Sequence, residues 1–141
     1  MIYDLSARLE DRLAPHEPPY RSRGEAQIGR LLGRSGIEFQ HERPTVVHDR
    51  RRYRIWKPDF TLPSYDRMII EYAGMMDRPD YAAGIRHKKR AYARNEISAL
   101  FLYPLDLRLP DWPNHVLRLI ERCRKQTARY AVTRRYAHDK R

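Results

Sequence analysis

Apolar positions run without interruption through Met68, Ile69 and Ile70 in RMIIEYAG, and again through the middle of ISALFLYP. Short continuous apolar runs bounded by turn residues predict strands buried on both faces. Elsewhere the period changes. In SRGEAQIGRLLGRSG the apolar residues Ile28, Leu31 and Leu32 recur at helical spacing, which places them on one stripe. Ser22 stands at an N-cap position, Glu25 follows at capping-box distance, and Gly36 supplies a stop. RPDYAAGIRHKKRAYARN predicts a second helix, with Tyr81, Ile85, Lys88 and Tyr92 on one face, and WPNHVLRLIERCRKQTARYA predicts a third. IEFQHE alternates and predicts a strand. TVVH and YRIWKPDFTL predict the two arms of a hairpin whose polar tip is Asp49–Arg52, and Pro63–Asp66 predicts the next turn.

The resulting order is helix, hairpin strands, strand, helix, strand, helix. A strand–helix–strand crossover near the end predicts an α/β fold, a mixed sheet flanked by helices. The 141 residues suit one domain. Residues 1–19 are expected to form an N-terminal extension with a short helix in DLSARLEDRL, stopped by the prolines of APHEPPY. Residues 20–126 are expected to form the folded domain and 127–141 a basic tail, frayed over VTRRYAHDKR. No internal repeat is visible.

Composition narrows the function classes. No apolar run approaches the roughly 20 residues that span a bilayer, and the first twenty residues mix acids and arginines without an apolar signal core. The expectation is a cytoplasmic protein with no membrane partner. The single cysteine, Cys123, excludes an internal disulfide and a multi-cysteine zinc site. The six glycines are not clustered into a phosphate loop, so no nucleotide cofactor is expected. The histidines lack zinc-ligand spacing on a helix, and the serines lack a nucleophile-elbow context. The formal net charge of +11 and pI of about 10.1 point to a polyanionic partner, nucleic acid first. An anionic membrane surface would need an amphipathic segment with aromatic anchors, which the sequence does not offer. Arginine greatly outnumbers lysine, in keeping with bidentate phosphate recognition.

Within this frame two acids stand out. Asp59 follows Pro58, and Glu71 lies twelve residues on, at the end of the apolar run. A charge ending a buried strand is costly unless paired or bound to a metal. The two acids lie on consecutive strands joined by the tight turn at Pro63–Asp66, at similar distances from it. Their side chains can therefore reach the same end of the sheet, with the Tyr72 carbonyl as an additional hard oxygen donor.

The layout YRSRGEAQIGRLLGRSGIEFQHE, KPDFTLP and IIEYAG resembles the PD-(D/E)XK nuclease superfamily over roughly residues 20–107. It is similar in arrangement to phage junction-resolving endonucleases, transposase-subunit nucleases and very-short-patch-repair nucleases. PDF at Pro58–Phe60 matches the first motif, IIEYAG at Ile69–Gly74 the second, and the helix bearing Glu25 the acidic N-terminal helix of many members. The motif lysine two residues after the glutamate is absent, and Ala73 stands there. Some members place that lysine on the following helix between tyrosines, which here singles out Lys88 between Tyr81 and Tyr92.

The resemblance implies a restriction-endonuclease-like fold and a Mg²⁺- or Mn²⁺-dependent endonuclease acting on DNA and leaving 5′-phosphates. Asp59, Glu71 and the Tyr72 carbonyl would bind the metal. Glu25 would hold a second ion or a metal-bound water, and Lys88 would position the nucleophile. Cutting two strands from one site per chain would need a homodimer. Two readings from other classes stay open: a catalytically degenerate module that holds DNA or RNA, and a subunit of a transposition, restriction or repair assembly. Taken singly, Glu25 also reads as a capping-box carboxylate and Lys88 as a lysine snorkelling from an apolar face.

Basic residues flank these positions. Arg50, Arg51 and Arg52 at the hairpin tip read as a phosphate-contacting finger beside the site, or as a solvated turn. Arg21 and Arg23 precede the Glu25 helix. Lys57, Lys89, Arg124, Lys125, Arg134 and Arg135 complete the candidate nucleic-acid surface, and Tyr53 and Trp56 are candidate stacking or core rings.

Overall fold

The computed structural model describes residues 20–139, with side chains described as far as Thr127. Helix α1 (Arg23–Arg34) begins where the Ser22 hydroxyl accepts the Glu25 N–H at 3.2 Å. It ends in two bonds that close over the left-handed Gly36 (φ +68°), from Ile37 N–H to the Leu32 carbonyl and from Gly36 N–H to the Gly33 carbonyl. This Schellman arrangement favours glycine at its left-handed position and folds the next apolar side chain back onto the core; Ile37 packs there. Helix α2 (Pro79–Arg94) ends in the same pair of bonds, with Glu96 (φ 59°) in the left-handed position.

The strands are β1 (Gln40–His41), β2 (Thr45–Asp49), β3 (Arg52–Trp56), β4 (Phe60–Leu62), β5 (Met68–Tyr72) and β6 (Ala99–Leu102), followed by helix α3 (Trp112–Asp139). The main sheet has the order β1-β4-β5-β6. Its first two pairings are antiparallel, and β5 with β6 is parallel across the α2 crossover. The fold is thus mixed α/β, with three α-helices among the described residues. No helix among the described residues is long and apolar enough to cross a membrane.

Alternation along β5 assigns the two faces. Met68 and Ile70 pack with Ile28, Leu31, Leu32, Phe60, Trp112, Val116 and Ile120, on the side of α1 and α3. Ile69 packs on the opposite side with Val47 of β2 and Ala91 and Tyr92 of α2. By the same two-residue period Glu71 faces α2 and Tyr72 faces α1.

Three expectations change. YRIWKPDFTL does not form one return strand: it breaks at Lys57–Asp59, and β2–β3 stand as a separate two-stranded sheet. Pro58 has no N–H to give a ladder, and the break frees Asp59 to bond with β5. The strand expected over IEFQHE shrinks to Gln40–His41, because Glu42 turns left-handed (φ 51°) and donates its N–H to the Asp59 carbonyl. The third helix does not fray where a tail was expected but stays helical to Asp139. No proline or glycine follows Pro113, so nothing local stops it. The short helix expected over residues 4–13 lies outside the described residues. The hairpin tip does fall at Asp49–Arg52, with Arg50 (φ 49°) and Arg51 (φ 65°) both left-handed, as a two-residue primed turn requires.

Two glycines near the end of α1 give a sign test. A Cβ at either Gly33 or Gly36 would meet nothing within 4 Å, but only Gly36 has positive φ. Gly33→Ala is expected to stabilise the fold by about 0.5–1 kcal/mol, and Gly36→Ala to destabilise it by about 1–2 kcal/mol. Urea unfolding with unchanged m-value checks both.

Candidate active site

The pairing Phe60↔Ile70 brings Asp59 opposite Glu71 just past the end of the β4–β5 ladder. The two carboxylates clasp the opposite strands. Asp59 Oδ2 accepts the Tyr72 N–H at 2.7 Å, and Glu71 Oε1 accepts the Asp59 N–H at 3.3 Å. Side chains thus continue the strand pairing where the ladder stops.

Helix α2 supplies the remaining partners. Lys88 Nζ lies 2.9 Å from Glu71 Oε2, and the Tyr92 hydroxyl donates to Glu71 Oε1 at 3.3 Å. Tyr81 reaches the next stretch of backbone, accepting the Gly74 N–H at 3.2 Å and donating to the Tyr72 carbonyl at 3.4 Å. Three of the four α2 side chains that share a face in sequence, Tyr81, Lys88 and Tyr92, therefore meet the end of β5. Glu71 is only 4% exposed, so its charge relies on these donors. Ala73 is fully enclosed and carries no cation. The cation arrives from the helix instead.

Glu25 lines the same cleft from α1. Its Oε2 accepts the Arg21 N–H at 3.1 Å, one residue short of the usual capping-box partner, and lies 3.7 Å from His41 Nε2. The cleft, about 670 Å³, is bounded by Arg21, Arg23, Glu25, Asp59, Glu71, Tyr72, Tyr81 and Lys88 among others. Tyr72 closes one wall because α1 has a glycine beneath it: a Cβ on Gly24 would stand 2.3 Å from the Tyr72 ring.

Burial, and then the neighbouring Glu71 and Glu25 charges, push the Asp59 carboxyl up to about 7 against the opposing Tyr72 N–H and Lys88. Burial and the adjacent Glu71 hold the Tyr92 phenol well above its ordinary value, so it stays a donor. Among the described residues no three His, Cys, Asp or Glu side chains form a ready-made metal cage. The donor set at the strand ends is two carboxylates and the Tyr72 carbonyl, all hard oxygens. Mg²⁺ is commonly held by one or two carboxylates while it keeps several waters, and a dication would relieve the repulsion that raises Asp59. The residues fit Mg²⁺ or Mn²⁺ on that chemistry.

The basic candidates divide. Arg21 and Arg23 line the cleft, although Arg21 also pairs with Glu42 at 3.0 Å. Arg50 and Arg51 are not beside the site. They line a separate recess of about 440 Å³ with His48, Arg94 and Asn95, at the far end of α2. Seven residues from Lys88 to Asn95 correspond to about 10 Å of helix. Arg52 and Lys57 are exposed. Lys89 lies across the Phe101 and Tyr103 rings. Arg124 pairs with Glu121 and lies over the Tyr65 ring, and Lys125 is exposed. The side chains of Arg134 and Arg135 lie outside the described residues. Trp56 meets the Tyr92 ring edge-on, a packing role.

Pattern reading missed Arg108. It shares an adjoining cleft of about 520 Å³ with Arg23, Gln27 and Tyr72. Its segment, YPLDLRLP, has neither strand nor helix period, so only the short helical turn at Pro104–Leu107 brings it there. Comparison with models of protein families, with curated proteins and with solved structures gives no match to this chain.

The raised Asp59 has a defined consequence. Its folded pKa lies above that of the unfolded chain, so the native state binds more protons between the two values, and stability falls as pH rises. In EDTA the melting temperature is expected to fall from about pH 4 to about pH 7 on this account. Asp59→Asn should flatten that limb, and Mn²⁺ should raise the melting temperature more at pH 8 than at pH 5.

Proposed function

We propose that this chain is a small Mg²⁺- or Mn²⁺-dependent endonuclease of PD-(D/E)XK type that hydrolyses phosphodiester bonds in DNA. The observation that carries the reading is Lys88 at 2.9 Å from Glu71, beside Asp59, in a cleft open to solvent. An aspartate, a glutamate and a lysine from three separate elements meet at one strand end, although position 73 holds a buried alanine. The net charge of +11 and the arginines at the cleft rim suit a phosphodiester substrate.

Asp59, Glu71 and the Tyr72 carbonyl would hold the metal. When bound, a divalent ion lowers the pKa of its water and neutralises charge on the scissile phosphate. Tyr81 fixes the Tyr72 carbonyl, and Tyr92 fixes one oxygen of Glu71. Lys88, which pairs with Glu71, would orient the attacking water and offset charge in the transition state. Glu25 would hold a second ion or a metal-bound water. Arg23 and Arg108, which line one recess with Tyr72, would contact phosphates next to the scissile one.

The ion pair also supports a second reading. Lys88 neutralises Glu71 without any metal, as an inert DNA-binding module would need.

Cleavage of supercoiled, branched and single-stranded DNA with Mg²⁺ or Mn²⁺ separates the two. Asp59→Ala, Glu71→Ala and Lys88→Ala are each expected to lower the rate by about a hundredfold or more while leaving DNA affinity in EDTA within a few-fold. Full activity in both carboxylate variants contradicts the nuclease reading. Salt-dependent binding without cleavage on any substrate favours the module.

A further inference from the structure

The β2–β3 hairpin carries a surface that neither the core nor the catalytic cleft explains. Its inner face is anchored. Val47 is fully buried, Asp49 bonds His87 at 2.9 Å, and Asn95 at the end of α2 brackets the His48 backbone with two bonds of 2.9 Å. The pairings Val46↔Ile55 and His48↔Tyr53 place four side chains together on the outer face. There Val46 is 63% exposed, Ile55 70% and Tyr53 80%. The His48 ring stands edge-on to Tyr53, centroids 5.1 Å apart.

A firmly held hairpin that presents an aromatic ring and two aliphatic side chains to solvent calls for an occupant. The charge around the face identifies its chemistry. Arg50 and Arg51 at the tip and Lys57 just beyond the hairpin are exposed; Arg52 and Arg54 alternate onto the opposite face, and the hairpin's one acid, Asp49, is buried there beneath His87 and Arg54. Uncompensated cations at both ends of a face that presents an exposed aromatic are the composition that holds unpaired bases by stacking and their backbone by charge.

We propose that the outer face of the hairpin binds unpaired nucleotides, with Tyr53 as the stacking platform and the tip arginines on the phosphates. Tyr53 precedes Asp59 by six residues, at most about 22 Å at full extension, or about six base steps at 3.4 Å each. The proposal rests on the nuclease reading for its purpose: it makes the preferred substrate a DNA with unpaired bases within a few nucleotides of the scissile bond. Its binding chemistry is independent of catalysis.

The test is fluorescence anisotropy in EDTA, where no metal-dependent cutting occurs, with three labelled probes: a single strand, a blunt duplex, and a duplex bearing a single-stranded flap. Tyr53→Ala is expected to weaken the single strand and the flap by about tenfold or more and leave the blunt duplex unchanged. Tyr53→Phe keeps the ring and should restore wild-type affinity. Because Tyr53 makes little contact with the fold, far-UV circular dichroism and melting temperature should not move. Unchanged affinity for all three probes overturns the proposal, as does an equal loss on all three. It is also overturned if Tyr53→Ala splits a dimer in sedimentation velocity without altering DNA binding, since the face would then cover a second copy. A wild-type protein that cuts nothing but shows the expected binding pattern removes the nuclease reading and leaves this one standing. Metal-dependent cutting with no effect of Tyr53→Ala does the reverse.

Discussion

A carboxylate buried at the end of a central strand must be compensated where it stands, and Glu71 sets that condition for this protein. It is 4% exposed at the end of β5, between the antiparallel β4 and the parallel β6. Three donors meet it: the Asp59 N–H from the chain entering β4, the Lys88 amine and the Tyr92 hydroxyl from α2. Removing one such partner leaves a buried charge short of compensation. The placement of α2 on the sheet, the start of β4 and the enclosure of Ala73 are therefore parts of one arrangement. The same arrangement leaves Asp59 destabilised beside Glu71, and a dication would answer that defect.

The break between β3 and β4 connects this centre to the rest of the surface. Had residues 53–62 continued as one strand, Asp59 would spend its backbone on a ladder and the hairpin would extend the main sheet. Pro58 prevents both. Asp59 turns to clasp β5, and the hairpin stands apart with one face pinned on α2 and the other free. The arginines at the tip consequently sit about 10 Å along α2 from Lys88, too far to share its phosphate but along the reach of one bound strand. Nearer the centre, Gly24 lets Tyr72 lie against α1, and the ring lines both the cleft of Asp59 and Glu71 and the recess of Arg108.

Much of this was legible in the sequence because it depends on period and spacing. Continuous apolar runs marked β5 and β6, a 3.6-residue period marked α1 and α2, and the stop at Gly36 was local chemistry. The Tyr81–Lys88–Tyr92 face was visible from helical spacing alone, and it meets Glu71. What escaped notice depended on tertiary competition. The second Schellman stop uses Glu96 where glycine would have announced it. The split of the long strand turns on one missing N–H at Pro58. Arg108 enters through a segment with no period, and the separation of the arginine tip from the cleft follows from how the hairpin packs on α2. The roles of Glu25 are double in sequence and stay double in space, since one carboxylate both closes the start of α1 and faces the cleft.

The central claim is that Asp59 and Glu71 form a divalent-metal centre in which Lys88 stands guard over the acid in the metal's absence. Crystals soaked in Mn²⁺ and measured for anomalous scattering test it directly. The account predicts a peak about 2.1 Å from one oxygen of Asp59 and one of Glu71, near the Tyr72 carbonyl, with the Lys88 amine drawn away from Glu71. A map with no peak there, and Lys88 still paired with Glu71 at saturating Mn²⁺, would contradict it.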